Sequence, residues 1–141
     1  RLPRPLLSAA EYILNRDLKK ILDKEVDVEK LRRLIEEIKR WSINVDTTTV
    51  GFIASSWVHS VMEKLNVQPN EIRLLEMVKD TLEALAPLHL SLNLWEAQNI
   101  YFSIGRKLYN TMKMKAEEGD SFSASWRDAF SNLGLYLHVK I

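Results

Sequence analysis

The chain has 141 residues, of which 46% are hydrophobic and 28% charged, with 20 Lys and Arg against 19 Asp and Glu. This composition is typical of one globular domain, and a formal net charge of +1 argues against a nucleic-acid partner, because phosphate binding needs a concentrated basic face. Cysteine is absent, which excludes disulfides, thiolate nucleophiles and zinc–sulfur sites. No apolar run approaches the roughly 20 residues that span a bilayer, so we expect no membrane partner.

The N-terminal segment Arg1-Leu2-Pro3-Arg4-Pro5 contains neither an initiator Met nor an apolar signal segment. We therefore expect residues 1–141 to form a single helical domain that is a C-terminal fragment of a longer polypeptide. A mature natural N-terminus is the alternative.

Apolar residues recur with a period of 3.6 along most of the chain, and this pattern predicts six helices. Ser8 and Glu11 form a capping-box pattern at the start of the first helix, and Asp27 is the predicted N-cap of the second. Asp46 is the predicted N-cap of the third, although the threonine run that follows it locally favours a strand.

The other three helices are predicted in the C-terminal half. The fourth covers about residues 70–86, and Pro87 ends it. The fifth begins at Asn93 with a second capping-box pattern, and its two apolar stripes indicate a central helix with neighbours on both sides. The sixth follows Gly119 and Asp120. The predicted fold class is all-α, an irregular bundle of about six helices.

A search for chemical motifs finds no self-contained active site. The histidines His59, His89 and His138 have no companion at metal-ligand spacing. Adjacent carboxylates such as Glu36-Glu37 point about 100° apart on a helix, so they cannot converge on one bond. The glycines are too far apart for a phosphate loop. We therefore expect no catalytic residue, no metal and no cofactor in this chain.

The segment Leu92–Phe102 is the most unusual part of the sequence, because Trp95, Gln98 and Asn99 occupy a helix that is otherwise largely apolar. If the two amides are partly buried, each needs a hydrogen-bond partner, and they act as an internal polar tether. Alternatively, Asn99 and Trp95 line a cleft shared with another domain, since an aromatic ring beside carboxamides is common on carbohydrate-facing surfaces.

The segments "RPLLSAAEYILNRDL", "LRRLIEEIKRW", "LEALAPLHL" and "LNLWEAQNIYFSI" together resemble a bacterial helical domain of unknown function. That domain follows the catalytic domain in glycoside hydrolase family 57-like proteins, described as α-amylase/α-mannosidase-like. The resemblance extends from about Pro3 to Tyr109. It implies that the catalytic carboxylates lie on an upstream barrel, so no catalytic residue is carried over to this chain.

The resemblance implies a non-catalytic accessory domain of an α-glucan-acting glycoside hydrolase. Its partner would be the catalytic barrel of its own polypeptide, and it would help to wall the cleft that binds an α-glucan. Trp95, Gln98 and Asn99 are the candidate substrate-binding or interdomain residues, and the expected location is the cytoplasm. The alternative is a free-standing helical module that binds another protein through an apolar groove.

Overall fold

The computed structural model describes residues 2–23 and 25–139, and within these ranges it contains six α-helices, one short 3₁₀ helix and no β-strand. The all-α prediction is therefore confirmed. The α-helices are α1 (Arg4–Ile21), α2 (Val28–Arg40), α3 (Thr47–Val67), α4 (Ile72–Leu85), α5 (Trp95–Glu117) and α6 (Ser121–Tyr136), and the 3₁₀ helix Ala86–Leu88 follows α4. None of these helices combines the length and apolarity that a bilayer crossing requires.

Contacts between residues divide the chain into two compact units. Unit 1 comprises residues 1–57 and 81–93, and unit 2 comprises residues 58–80 and 94–141. Two of the three divisions fall inside α3 and α4, and the third lies between residues 93 and 94, just before α5.

Unit 1 is built on the packing of α1 against α2. The amphipathic pattern of α2 places three apolar side chains in the core and its charged residues outside: Leu31, Ile35 and Ile38 are buried. The Asn15 amide of α1 stabilises the turn before α3, because it donates to the Asn44 carbonyl (2.9 Å) and accepts from the Asp46 N–H (2.7 Å).

Unit 2 is built on the packing of α5 against α6 around three stacked aromatic rings. The Phe130 ring lies 4.1 Å from the Tyr101 ring and 4.7 Å from the Trp126 ring, measured between centroids. Burial of these rings requires partners for their polar atoms. The Tyr101 hydroxyl donates to the Phe130 carbonyl (2.6 Å), and the Trp126 indole N–H donates to the Pro69 carbonyl (2.7 Å). Burial also raises the pKa of Tyr101.

Aspartate caps start three of the helices, and the two predicted caps at Asp27 and Asp46 are confirmed. Asp27 accepts from the Lys30 N–H (3.2 Å), and Asp46 accepts from the Thr49 N–H (3.3 Å). Asp120 caps α6 through the N–H and the hydroxyl of Ser123. Each carboxylate satisfies a backbone donor that the first turn of a helix leaves unpaired.

The first helix begins earlier than the capping-box pattern predicts. It starts at Arg4 with Pro5 in its first turn, so Ser8 lies inside the helix rather than at its N-cap. Proline suits this position because its fixed φ is helical and the first turn needs no N–H donor there. Ile13 of this helix, although apolar, is 44% exposed.

The fifth helix also starts differently, at Trp95. Leu94 occupies the N-cap position and forms no side-chain cap bond, so the predicted Asn93 cap is wrong. The Asn93 N–H donates to the Ser55 hydroxyl (2.9 Å), a contact within unit 1. The fourth helix covers Ile72–Leu85, slightly shorter than predicted, and His89 ends the following 3₁₀ turn with a left-handed φ of 51°.

Candidate functional site

The candidate site lies on the first two turns of α5, and Gln98 provides the polar tether there. Its side chain is half-buried, and the amide nitrogen donates to the Leu137 carbonyl at the C-terminal end of α6 (2.7 Å). This bond satisfies a carbonyl that the helix end leaves without an intrahelical partner. The expectation that a buried amide needs a partner is therefore met at Gln98.

Trp95 and Asn99, in contrast, face away from the core. Trp95 is 68% exposed and Asn99 is exposed, so neither is a core residue. Residues four and seven positions apart share one helix face, which places Phe102, 43% exposed, on the same line. We call Trp95, Asn99 and Phe102 the α5 strip. The second apolar stripe of α5, predicted to contact a neighbouring helix, is therefore open at its N-terminal end.

The buried face of α5 explains why these residues remain outside. Ala97, Tyr101 and Ile104 are buried, and the Tyr101 ring stacks on Phe130 of α6. Since α6 covers this one face, side chains half a turn away are left at the surface. Gln98 lies at the border between the two faces and reaches α6, whereas Asn99, about 100° further round the helix, does not.

A histidine with two carboxylates lies beside the α5 strip. The His59 Nδ1 atom of α3 is 3.0 Å from a Glu96 carboxylate oxygen, and its Nε2 atom is 3.4 Å from a Glu63 oxygen. A protonated imidazole would pair with both carboxylates, so His59 links α3 and α5 within unit 2 when it is charged. The sequence alone indicates a solvent-edge or hydrogen-bonded structural histidine at position 59, without naming its partners. Its four-residue spacing from Glu63 was an available signal.

Two surface clefts lie elsewhere. The first, about 490 Å³, lies between α4 and α6 and is lined by both charge signs, including Glu76, Lys79 and Asp128. The Lys79 ammonium in this cleft is 3.5 Å from an Asp80 oxygen and 5.7 Å from the centre of the Tyr136 ring.

The second cleft, about 390 Å³, lies between α1 and α2 and is called here the α1–α2 groove. Ile21 and Leu34 supply its apolar lining, and the other lining residues are charged: Asp17, Lys20, Lys30, Arg33 and Glu37. Over residues 2–23 and 25–139, no group of three or more His, Asp or Glu side chains is arranged to hold a metal ion.

Comparison with protein-family models, with curated proteins and with solved structures finds no match for this chain.

Proposed function

We propose that this chain is a non-catalytic helical domain that docks through the α5 strip onto the catalytic barrel of an α-glucan-acting glycoside hydrolase. The observation that carries the proposal is the exposure of Trp95 (68%) in line with Asn99 and Phe102. The resemblance of the surrounding segments supplies the identity of the partner. Cytoplasmic location belongs to the same proposal.

The physical support for docking is the cost of leaving large aromatic side chains in water. Burial of apolar surface contributes about 25 cal/mol per Å², and Trp is enriched among the residues that dominate the energetics of protein interfaces. Trp95 and Phe102 lie about two helical turns apart, so they can contact one partner surface together. Asn99 between them supplies an amide for hydrogen bonds at that surface.

The chemistry of the strip also supports a role in walling a glucan cleft. Sugar rings present apolar faces that stack on an indole, and their hydroxyls pair with carboxamides. Trp95 and Asn99 provide both groups one helical turn apart. Gln98 contributes by position, because its bond to Leu137 fixes the rotation of this part of α5 relative to α6.

The second candidate is a free-standing protein-interaction module, and Phe102 is the residue that favours it. Its side chain has no polar group to pair with a sugar hydroxyl, but it would be buried readily in an apolar groove of a partner protein. Both candidates use the same strip, so binding measurements with separate partners discriminate between them.

The test is isothermal titration calorimetry of the chain against the separately expressed upstream catalytic domain, and against maltoheptaose with that domain present. We expect Trp95→Ala to weaken domain binding at least about tenfold, as loss of an interface hot spot does. Phe52→Ala is the matched control, because Phe52 is an exposed aromatic (73%) on another helix. Absence of binding to the catalytic domain, or equal effects of the two substitutions, would refute the proposal.

A further inference from the structure

The α1–α2 groove combines an apolar lining with charged residues of both signs. Ile21 of α1 and Leu34 of α2 are half-buried, so part of each side chain remains accessible in the groove. Its acidic residues are Asp17 and Glu37, and its basic residues are Lys20, Lys30 and Arg33. The acidic and the basic side chains differ in whether they form ion pairs with other residues of the chain.

Both carboxylates of the groove have internal partners. Asp17 lies 3.4 Å from the Arg16 guanidinium, and Glu37 lies 3.3 Å from that of Arg40. Glu37 also accepts a hydrogen bond from the Trp41 indole N–H (2.8 Å). These contacts involve one oxygen of Asp17 and both oxygens of Glu37, and the cations and donors that make them lie outside the groove lining.

The three cations of the groove differ from its carboxylates in their ion pairing. Lys20, Lys30 and Arg33 form no ion pair with any residue in the described ranges 2–23 and 25–139, and Lys20 and Arg33 are exposed. Lys30 also lies in the first turn of α2, where the helix dipole disfavours a positive charge. The electrostatics of the groove therefore favour an anionic occupant.

From this combination we infer that the α1–α2 groove binds an acidic amphipathic peptide segment of a partner protein, with an apolar side chain against Ile21 and Leu34 and carboxylates against Lys20, Lys30 and Arg33. The guanidinium of Arg33 suits bidentate pairing with a carboxylate. The two apolar residues require an apolar group in the ligand, which a free anion lacks.

Other polyanions fit the groove less well. A nucleic acid would bring phosphates close to Asp17 and Glu37 without offering an apolar group to Ile21 and Leu34. A lipid bilayer requires apolar side chains that protrude into it, whereas these two are half-buried in a concave surface. A row of side chains on a peptide can enter such a groove and present both apolar groups and carboxylates.

The test uses fluorescence anisotropy of a labelled synthetic helical peptide built from leucine and glutamate. We expect saturable binding that weakens as salt rises from about 50 to about 500 mM, because the exposed ion pairs are screened. Replacement of the peptide's glutamates by glutamines should weaken binding about tenfold or more, and replacement by lysines should abolish it.

The protein variant is the triple substitution Lys20→Gln, Lys30→Gln and Arg33→Gln, which should weaken binding of the leucine–glutamate peptide about tenfold. The matched control removes three exposed cations from other positions and so produces the same net charge: Lys39→Gln, Lys64→Gln and Arg73→Gln. The control should bind within about twofold of the unsubstituted chain.

Several outcomes would overturn the inference. They are absence of saturable peptide binding at low salt, equal losses in the two triple variants, and full binding of poly-glutamate, which has no apolar side chain. Preferential binding to anionic phosphatidylserine vesicles would assign the groove to a membrane surface instead. Sedimentation velocity distinguishes a second copy of this chain as the occupant, since self-association would then be lost in the groove variant alone.

Discussion

Tyr101 and Gly134 approach each other so closely in unit 2 that only glycine fits at position 134. A Cβ added there would collide with the Tyr101 hydroxyl and lie 3.0 Å from its Cζ atom. Although alanine is the better helix former, we expect Gly134→Ala to lower the free energy of unfolding by about 1–3 kcal/mol through overpacking. Urea denaturation measures this change.

The control is Tyr101→Phe, which removes the hydroxyl and its bond to the Phe130 carbonyl at a cost of about 1 kcal/mol. In that background, Gly134→Ala should cost less than it does in the unsubstituted chain, because the colliding atom is gone. Strictly additive losses in the double variant would contradict a steric conflict at this point.

Three neighbouring residues of α5 should differ in their contribution to stability. We expect Trp95→Ala and Asn99→Ala each to change the free energy of unfolding by less than about 1 kcal/mol, because both side chains are exposed. Gln98→Ala should cost about 1–2 kcal/mol, because it leaves the Leu137 carbonyl without its donor. Thermal melts give the ranking, and a Trp95→Ala loss of about 3–5 kcal/mol would indicate a core position instead.

For single residues, the sequence predicts that a buried side-chain amide in this helix needs a hydrogen-bond partner. It does not predict which amide obtains one. Gln98 and Asn99 are adjacent, and the rotation of α5 about its axis decides between them. That rotation follows from the contact of Tyr101 with Phe130, which lies 29 positions further along the chain. Local pattern carries no information about this distant contact, so the sequence does not show that Trp95 lies on the exposed side of α5.

The N-terminal half of α1 has little tertiary support. In this helix only Leu18 is buried, whereas Leu6 and Tyr12 are 58% and 70% exposed. Helices in proteins, even those of 18 residues, obtain most of their stability from packing of an apolar face. We expect backbone amides of residues 8–12 to exchange with solvent on the order of a hundredfold faster than those of residues 101–104 in α5. Hydrogen exchange followed by NMR measures both, and equal protection would show that α1 is supported elsewhere.

The aspartate caps of α3 and α6 should make the free energy of unfolding depend on pH in the acidic range. Hydrogen bonds from Lys19 and Thr49 hold the pKa of Asp46 below its usual range, and bonds from Ser123 do the same for Asp120. A pKa lower in the folded than in the unfolded state means that the stabilisation is complete above about pH 4. It is then lost as the pH falls through the folded-state pKa. We expect Asp46→Asn to reduce stability at neutral pH and to flatten its decline below about pH 4.

Two lysine variants provide the control for this prediction. Lys19→Gln removes the ammonium 3.0 Å from Asp46 and should flatten the same decline in part. Lys20→Gln, at the next position and without an ion pair in the described ranges, should leave the decline unchanged. Unfolding midpoints in urea from about pH 2 to pH 7 provide the comparison, and identical slopes for the two lysine variants would exclude the Asp46 contact as the cause.

At the scale of elements, helix starts were predictable only where the signal is local. Asp27 and Asp46 bond to N–H groups three positions away, so their sequence context is sufficient. Asn93 also begins a capping pattern, but its N–H, which the capping box would pair with the Glu96 carboxylate, donates to Ser55, 38 positions earlier, and the helix begins at Trp95. A capping pattern therefore indicates a helix start unless a distant residue supplies a competing partner.

For the whole molecule, the proposed accessory role predicts that the isolated chain releases no sugar from starch, maltooligosaccharides or mannosides. Glycoside cleavage needs two carboxylates that converge on one bond, and the resemblance assigns that pair to the upstream barrel. A reducing-sugar assay on the purified chain measures release, with the upstream catalytic domain as the positive control. Activity abolished by substitution of a single Asp or Glu in this chain would contradict the role.

The all-α class could be predicted because apolar periodicity and few turn residues are properties of the whole sequence. The division into two units could not. Two of its three borders fall between Trp57 and Val58 and between Asp80 and Thr81, where no glycine or proline interrupts the helices. The α1–α2 groove was missed for a related reason, since its cations come from two helices and gather only when these pack.

The stacking of Phe130 has a consequence for the motion of its ring. Tyr101 and Trp126 lie nearly parallel to it, at 5° and 10°, and two rings this close must occupy opposite faces. A half-turn of the phenyl ring about its own axis would sweep its edges through both neighbours, so it requires a transient expansion of the closely packed interior. Slow flipping would give separate NMR resonances for the two edges of Phe130. The rate at which these merge on warming would report how often the interior of unit 2 opens.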